Sequence, residues 1–433
     1  MKNIIKYIAI VITFCNAEAQ MVSKGEGGTV LLKNADIYTV TKGVIKGDVL
    51  IQNQKIASVG PNLTAPTGAK TIDCTGKRIY PGLIDGGTTL GLAEVSSVSV
   101  TVDHNEIGDV IPQMKALSAV NPNAVAIPVT RTNGVTTVLT HPTTGRFTGT
   151  AALIDLHGYT PDQMYAGFSA VRMNFPSTGR FGSWDRRTDE VIKSEKEKAF
   201  KQIADVWKDL TLYHRIDSVA SINKTKLSNY RPDLHALLPV FRGKSTLLVE
   251  VNKKEDIEEA IKWVKDNKVK AVFTGVKEGW RVADKLAKEK IPVITGPVLD
   301  NPGRDYDAYD IVYKNPSIMA KAGVLVAIRT SGNENVRNLP FNAGFAAAYG
   351  MGTEEALKAV TINPAKIFGM DNLYGSVETG KMANLIVCDG DPFEMKTKIS
   401  HVFIKGWSVP MENRHTLLYD EFLTRSPGLD LKK

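Results

Sequence analysis

The chain has 433 residues, with 54 Lys and Arg against 46 Asp and Glu, 43% hydrophobic residues and 3 Cys. This composition excludes a disordered chain, a collagen-like fibre and a disulfide-stapled miniprotein. The length exceeds the roughly 250 to 300 residues at which single cores stop growing, so one large domain beside a smaller one is expected.

Lys2 and Lys6, an apolar run from Tyr7 to Phe14 and then Ala17-Glu18-Ala19 follow the three-part layout of a secretory signal peptide over residues 1–19. Cleavage is expected after Ala19, and the mature protein is expected to be secreted or periplasmic. The run falls short of the about 20 apolar residues that span a hydrocarbon core, so no permanent membrane anchor is expected. Bulky Phe14 ahead of Cys15 speaks against a lipid-modified start. Removing residues 1–19 takes away two Lys and one Glu, which lowers the formal charge from +8 to +7, and it lowers the Cys count from three to two. The remaining basic excess is diffuse, with no block of five like charges, and implies no nucleic-acid partner. Cys74 and Cys388 can pair in an oxidising space or stay as two buried thiols; sequence leaves both open.

Alternating apolar and polar residues from Thr29 to Val40 and from Asp48 to Val59 predict strands, the second stretch broken at Asn53-Gln54 as a hairpin. Ile72 to Tyr80 predicts another strand before Pro81-Gly82. Val135 to Thr140 and Ala151 to Leu156 are strand-like on either side of the turn-rich Pro142-Thr143-Thr144-Gly145. A charged stretch from Ser183 to Asp217 places Phe200, Ile203, Ala204 and Trp207 on one face and predicts a solvated outer helix.

From Leu247 onward the pattern becomes strand, helix, strand. Leu247–Val251, Val269–Thr274, Ile291–Thr295 and Val324–Ile328 predict short buried strands. Between them, Ile257, Ala260, Ile261 and Val264 fall at helical spacing, as do Val282, Ala283 and Leu286, and Asn315-Pro316 is expected to open a helix that Gly323 closes. Alternating strands and helices predict parallel β/α units. Leu385–Cys388 and His401–Val409 return to strand character, so both chain ends are β-rich.

Three groups of residues carry a family resemblance. Tyr80-Pro81-Gly82-Leu83-Ile84-Asp85 closely resembles the opening motif of the amidohydrolase superfamily. Ala359 to Lys366, Gly375 to Lys381 and Asp389-Gly390-Asp391-Pro392 resemble its C-terminal signature, and Val282 to Leu286 with Ile291-Pro292-Val293 resembles its imidazolonepropionase-like branch. The similarity runs from about Thr29 to Val409. It implies an α/β fold: a TIM-like (β/α)8 barrel over residues 81–372 beside a small β-sandwich built from residues 27–80 and 373–415. It also implies a metal-dependent hydrolase of C–N bonds other than peptide bonds, and a tendency to pair as a homodimer or with an intact relative.

In such enzymes a His-x-His after the first strand, His residues on the fifth and sixth strands and an Asp after the eighth hold a divalent ion. The ion lowers the pKa of bound water from 15.7 toward about 7. This sequence carries other residues at each place. Gly87-Thr88-Thr89 stands where His-x-His belongs, Glu250 and Asn252 take the fifth-strand positions, Gly275 the sixth, and Ser331 the Asp position. No metal or other cofactor is therefore expected. His141 ends a predicted strand, where barrel mouths are built, while His104 and His157 read as loop and turn residues. Arg329 lies two residues before Ser331 and shares its side of the strand, which predicts an ion pair between Arg329 and Glu250.

Two functions follow. One is an exported, non-catalytic pseudoenzyme that binds a small-molecule ligand or supports an intact partner through a pocket of Gly87, Thr89, His141, Glu250, Asn252, Gly275, Arg329 and Ser331. The other is an active hydrolase of cyclic amides or short peptides with a non-standard centre. The missing water activation favours the first. Phe241-Arg242-Gly243-Lys244-Ser245 lacks the first glycine of a phosphate loop, and no Gly-x-Ser-x-Gly or Cys-x-x-Cys motif is present.

Overall fold

The computed structural model describes residues 24–177, 179, 185–227 and 229–425; the expected signal peptide at residues 1–19 and its cleavage point lie outside them. The chain opens with β1 (Val30–Tyr38), β2 (Val44–Gln52), β3 (Lys55–Gly60), β4 (Lys70–Asp73) and β5 (Arg78–Pro81). The β2–β3 hairpin turns at Asn53 and Gln54, both at positive φ (51° and 67°), as the primed two-residue turn requires. The single strand expected over Ile72–Tyr80 is two strands, because Gly76 at φ 72° turns the chain between β4 and β5.

Eight strands then follow: β6 (Leu83–Thr88), β7 (Val135–Thr140), β8 (Phe147–Asp155), β9 (Tyr165–Asn174), β10 (Leu247–Val251), β11 (Ala271–Gly275), β12 (Val293–Thr295) and β13 (Val326–Ile328). They hydrogen-bond in chain order. Just past the end of β13, Ser331 N donates to Gly87 O of β6 at 3.0 Å and nearly closes a TIM-like barrel. One strand departs from the all-parallel pattern, since β8 is antiparallel to both β7 and β9. The short link through Pro142–Gly145 cannot make the crossover of a dozen or more residues that a parallel pair needs.

The last strands, β14 (Leu385–Cys388), β15 (Ile399–Ile404) and β16 (Trp407–Val409), join β5 and complete a second sheet in the order β16-β15-β14-β5-β1-β2-β3, with β4 also on β1. Strand periodicity divides its side chains between two cores. Ile79, Leu385, Val387 and Phe403 pack inside the sheet unit, whereas Tyr80, Ile386, Cys388, Val402 and Ile404 pack against the barrel. Cys74 and Cys388 are free and buried in different clusters, and burial pushes their thiols up to about 11 and about 12.

The same period-2 logic organises the barrel. Val249, Val251, Phe273, Val293 and Val326 point outward onto a layer that includes Ile257, Ala260, Val264 and Leu286. Their neighbours Leu248, Val272, Ile294 and Ala327 meet Ile84, Leu139 and Ala170 inside the barrel. The charged stretch forms a 34-residue helix, Asp189–Ile222, with Thr188 accepting from Val191 N at its start. Asn315-Pro316 does not open a helix: the helix runs Ile311–Lys321 with Pro316 inside it. Asn315 is buried instead, bonding Trp280 N, Val276 O and Thr295 Oγ1 between barrel loops. Among the described residues, no helix is long and apolar enough to cross a membrane.

Candidate functional site

Two residues up each strand from the apolar barrel layer, the side chains become polar. Glu250 follows Leu248 by two, Thr274 follows Val272, Arg172 follows Ala170 and Arg329 follows Ala327, so all four rise toward the C-terminal mouth. Arg329 grips Glu250 in a bidentate pair, with NH1 to Oε2 and NH2 to Oε1 both at 2.7 Å. Arg172 adds a second guanidinium at 3.1 Å from Oε2, and Thr274 Oγ1 donates to the same oxygen at 2.7 Å. The pair expected from sequence is therefore present, as two members of a three-residue charged cluster.

Burial by itself pushes the Glu250 carboxyl up, but Arg329 and Arg172, with the Arg329 and Thr274 hydrogen bonds, hold it well below its ordinary value of 4.5. Arg172 is drawn down by burial and held up by Glu250. Beneath this layer Asp85 accepts from Thr330 Oγ1 (2.5 Å), Thr330 N (3.3 Å) and Gly87 N (2.9 Å). Burial pushes its carboxyl up to about 6 against those bonds.

The remaining expected residues surround this cluster. His141 is 4% exposed; its Nδ1 donates to Pro142 O at 3.1 Å and its Nε2 is buried without a partner among the described residues. Burial, then Arg172 and Arg329, hold its imidazole well below 6.5. A Cβ on Gly87 would lie 3.2 Å from Arg329 Cδ and 3.3 Å from His141 Nε2, so the glycine lets both side chains pack closely against the β6 backbone. Gly275, at φ +85°, leaves no space for a side chain, since a Cβ there would lie 2.4 Å from Asn252 Oδ1 and 2.6 Å from Glu250 Oε1. Asn252 Oδ1 and Ser331 Oγ are also buried without partners. Thr89 is buried just past β6.

Above the cluster opens a cavity of about 550 Å³ whose wall includes Arg146, Asn174, Glu250 and Asn252. His104 and His157 stand elsewhere: His104 bonds Asn105 and Thr143 in a loop, and His157 packs near Trp407 of the second sheet.

The amidohydrolase family profile matches residues 314–409. The imidazolonepropionase of Shouchella clausii is 25% identical over 395 residues, covering 81% of each chain. A D-hydantoinase of Geobacillus stearothermophilus is 42% identical over 82 residues, 19% of this chain and 17% of the relative. The crystal structure of an amidohydrolase from Thermotoga maritima superposes with a TM-score of 0.77 at 27% identity, covering 88% of this chain and 99% of that one. The chain belongs to the amidohydrolase superfamily.

For a member of the amidohydrolase superfamily the question is whether these residues fit a divalent ion. They do not. Among the described residues no group of three or more His, Cys, Asp or Glu is placed to hold one. Glu250, the carboxylate at a ligand position, already has both oxygens bonded to Arg329. A divalent ion within about 4 Å of a fixed guanidinium would be repelled by on the order of 8 kcal/mol at an effective dielectric of about 20.

Sequence reasoning missed Arg172, Asn174, Thr274 and Arg146. Strand β9, which carries Arg172 and Asn174, gives little signal because its Tyr-Ala-Gly-Phe-Ser start lacks clean alternation. Once β9 pairs with β10, the register sets Asn174 beside Glu250 and Arg172 beside Leu248. Thr274 was legible in principle, since it lies opposite Glu250 on the predicted next strand.

Proposed function

We propose that this amidohydrolase-superfamily protein is an exported, metal-independent binder of a small polar ligand, with a Glu250–Arg329–Arg172 cluster standing where the relatives' ion would sit. The observation that carries the reading is the closure of both Glu250 oxygens by two guanidiniums. A carboxylate so bound can neither ligate an ion nor activate water, and without that activation the largest part of a metal hydrolase's rate is missing. The unpartnered atoms around the cluster support binding, because buried polar groups left unbonded in the free protein are what a ligand satisfies. Export is supported by the charge, apolar run and small residues of positions 1–19.

Elemental analysis of protein purified without added metal tests this. The expected result is no stoichiometric zinc, iron or manganese, with a chelator changing neither thermal stability nor ligand binding. One tightly held equivalent of any of these ions would overturn the reading.

A second reading keeps catalysis, with His141 accepting a proton in hydrolysis of a cyclic amide or short peptide. Its Nε2 lone pair is unencumbered, which favours this reading. Against it, the depressed imidazole is a weak base at neutral pH. Turnover of such substrates by metal-free protein, lost on His141→Leu, would establish the second reading over the first.

A further inference from the structure

At the end of the barrel opposite the mouth, a second hollow of about 660 Å³ opens under the starts of β9 to β12, beside the helix Ile362–Ile367. Lys244, Lys270 and Lys290 stand just ahead of β10, β11 and β12, and Lys366 adds a fourth cation from that helix. Pairing of Phe273 with Val293 sets Lys270 and Lys290, each three residues earlier, side by side at the starts of neighbouring strands. Like charges so placed repel. All four lysines are exposed, and among the described residues none has an Asp or Glu oxygen within 4.0 Å of its ammonium.

The acidic groups around the hollow do not offset them. Among the described residues Glu289 is the one carboxylate on its wall, and Lys265 already holds it at 3.1 Å. Asp266, two residues past the wall's Val264, is taken by Lys262, and Asp217 by Arg242 just ahead of Lys244. Asp162 and Asp371, close along the chain to the wall residues Tyr165 and Gly369, form no ion pair with any of the four lysines. Even with Glu289 counted in full, the wall carries an excess of three positive charges. On the same wall stand Ser169, Ser245 and Thr246, whose hydroxyls make no hydrogen bond among the described residues. Phe168 and Phe368, ring centroids 4.9 Å apart, supply an apolar face. A cleft of one charge sign with low-dielectric walls focuses its field on a ligand of the opposite sign.

We propose that this hollow binds a small anion carrying two or more phosphate groups, held by the ammonium groups of Lys244, Lys270, Lys290 and Lys366 with hydroxyl donors from Ser169, Ser245 and Thr246. One phosphate group carries roughly 1.5 to 2 negative charges near pH 7, so a single group leaves cations unmet and a second matches the excess. Lysines meet phosphate as mobile point charges, whereas a planar carboxylate is best matched by the fork of an arginine. The site lies at the far end of the barrel from Glu250 and does not depend on the metal-independent reading of the mouth.

Isothermal titration calorimetry of the purified protein in metal-free, low-salt buffer, with tripolyphosphate, inorganic phosphate and citrate as probes, tests the proposal. Tripolyphosphate is expected to bind at one equivalent, and inorganic phosphate and citrate roughly tenfold or more weakly. Lys270→Gln combined with Lys290→Gln should weaken tripolyphosphate by roughly tenfold or more. Removing the same charge far from the hollow, with Lys208→Gln and Lys224→Gln at the outer helix, should change it by less than about twofold, because salt screens distant exposed charges. No binding of tripolyphosphate, equally tight binding of phosphate or citrate, or equal losses in the two double variants would overturn the proposal. A measurement on the wild-type protein reads the same contacts without substitution: bound tripolyphosphate should shield Lys270 and Lys290, but not Lys208, from acetylation by acetic anhydride, and equal labelling with and without it would overturn the proposal.

Discussion

Replacing Glu250 with Gln keeps the shape of the cluster and removes its charge, leaving Arg172 and Arg329 buried with a neutral amide between them. The side chains of Arg172 and Arg329 are 6% and 7% exposed and that of Glu250 is 16% exposed, so water compensates little. Breaking a buried ion pair by removing one partner costs about 3 to 5 kcal/mol, because the remaining charge stays desolvated. The two guanidiniums and the lost Thr274 bond place Glu250→Gln toward the upper end of that range. With about 2.1 cal/mol/K of unfolding entropy per residue, a chain of this size would lose about 5 °C in Tm. Urea titration at pH 7 is the assay, reading a lower midpoint at unchanged slope. Arg329→Met in the wild-type and Glu250→Gln backgrounds completes a double-mutant cycle, where a coupling of at least about 2 kcal/mol is expected. If Glu250→Gln lay within about 0.5 kcal/mol of wild type, the value typical of surface changes, the cluster would not hold the barrel mouth together as argued.

Further outcomes follow from the same geometry. The folded-state pKa of Glu250 lies below its ordinary 4.5, so its stabilisation is complete above about that pH and is lost as the pH falls toward the folded value. Glu250→Gln should remove that part of the acid-side decline. His141 also has a depressed folded-state pKa, so it opposes unfolding fully above 6.5 and loses that contribution as the pH falls; His141→Leu should flatten the stability profile just below pH 6.5. Asp85 has the opposite sign. Its pKa is raised to about 6 from 3.8, so stability from its protonated form is present below 3.8 and lost as the pH rises through 6, and Asp85→Asn should flatten that interval. Gly275→Ala forces a side chain at φ +85° and within 2.4 Å of Asn252 Oδ1, and should cost about 3 kcal/mol in denaturant melts. Gly87→Ala, whose Cβ meets nothing closer than 3.2 Å, should cost about 1 kcal/mol in the same melts. With Cys74 and Cys388 buried and unbonded, both should label with a thiol reagent after unfolding without any reductant.

Much of this protein is legible along the chain because strand periodicity is a local property. Leu248 and Glu250, or Ala327 and Arg329, sit two apart on one strand face whatever the rest of the molecule does. The residues exchanged at the metal positions can be read off a sequence resemblance, and the Glu250–Arg329 pair follows once both strands are known to line one barrel. The β-rich ends and the four short strands after Leu247 are equally local, since apolar runs bounded by turns specify them.

What the tertiary structure alone decided is which distant groups meet. Arg172 reaches Glu250 because β8 runs backward, a consequence of a link too short for a crossover, and so sets β9 beside β10 in a register no local pattern reveals. Asn315 was read as a helix cap because its neighbour is proline, whereas burial among three backbone and side-chain partners outweighs that local preference. The tautomer of His141 likewise depends on where Pro142 O comes to lie. Side-chain direction is set by the bonds of one residue, but charge balance and hydrogen-bond satisfaction are sums over neighbours that only folding brings together.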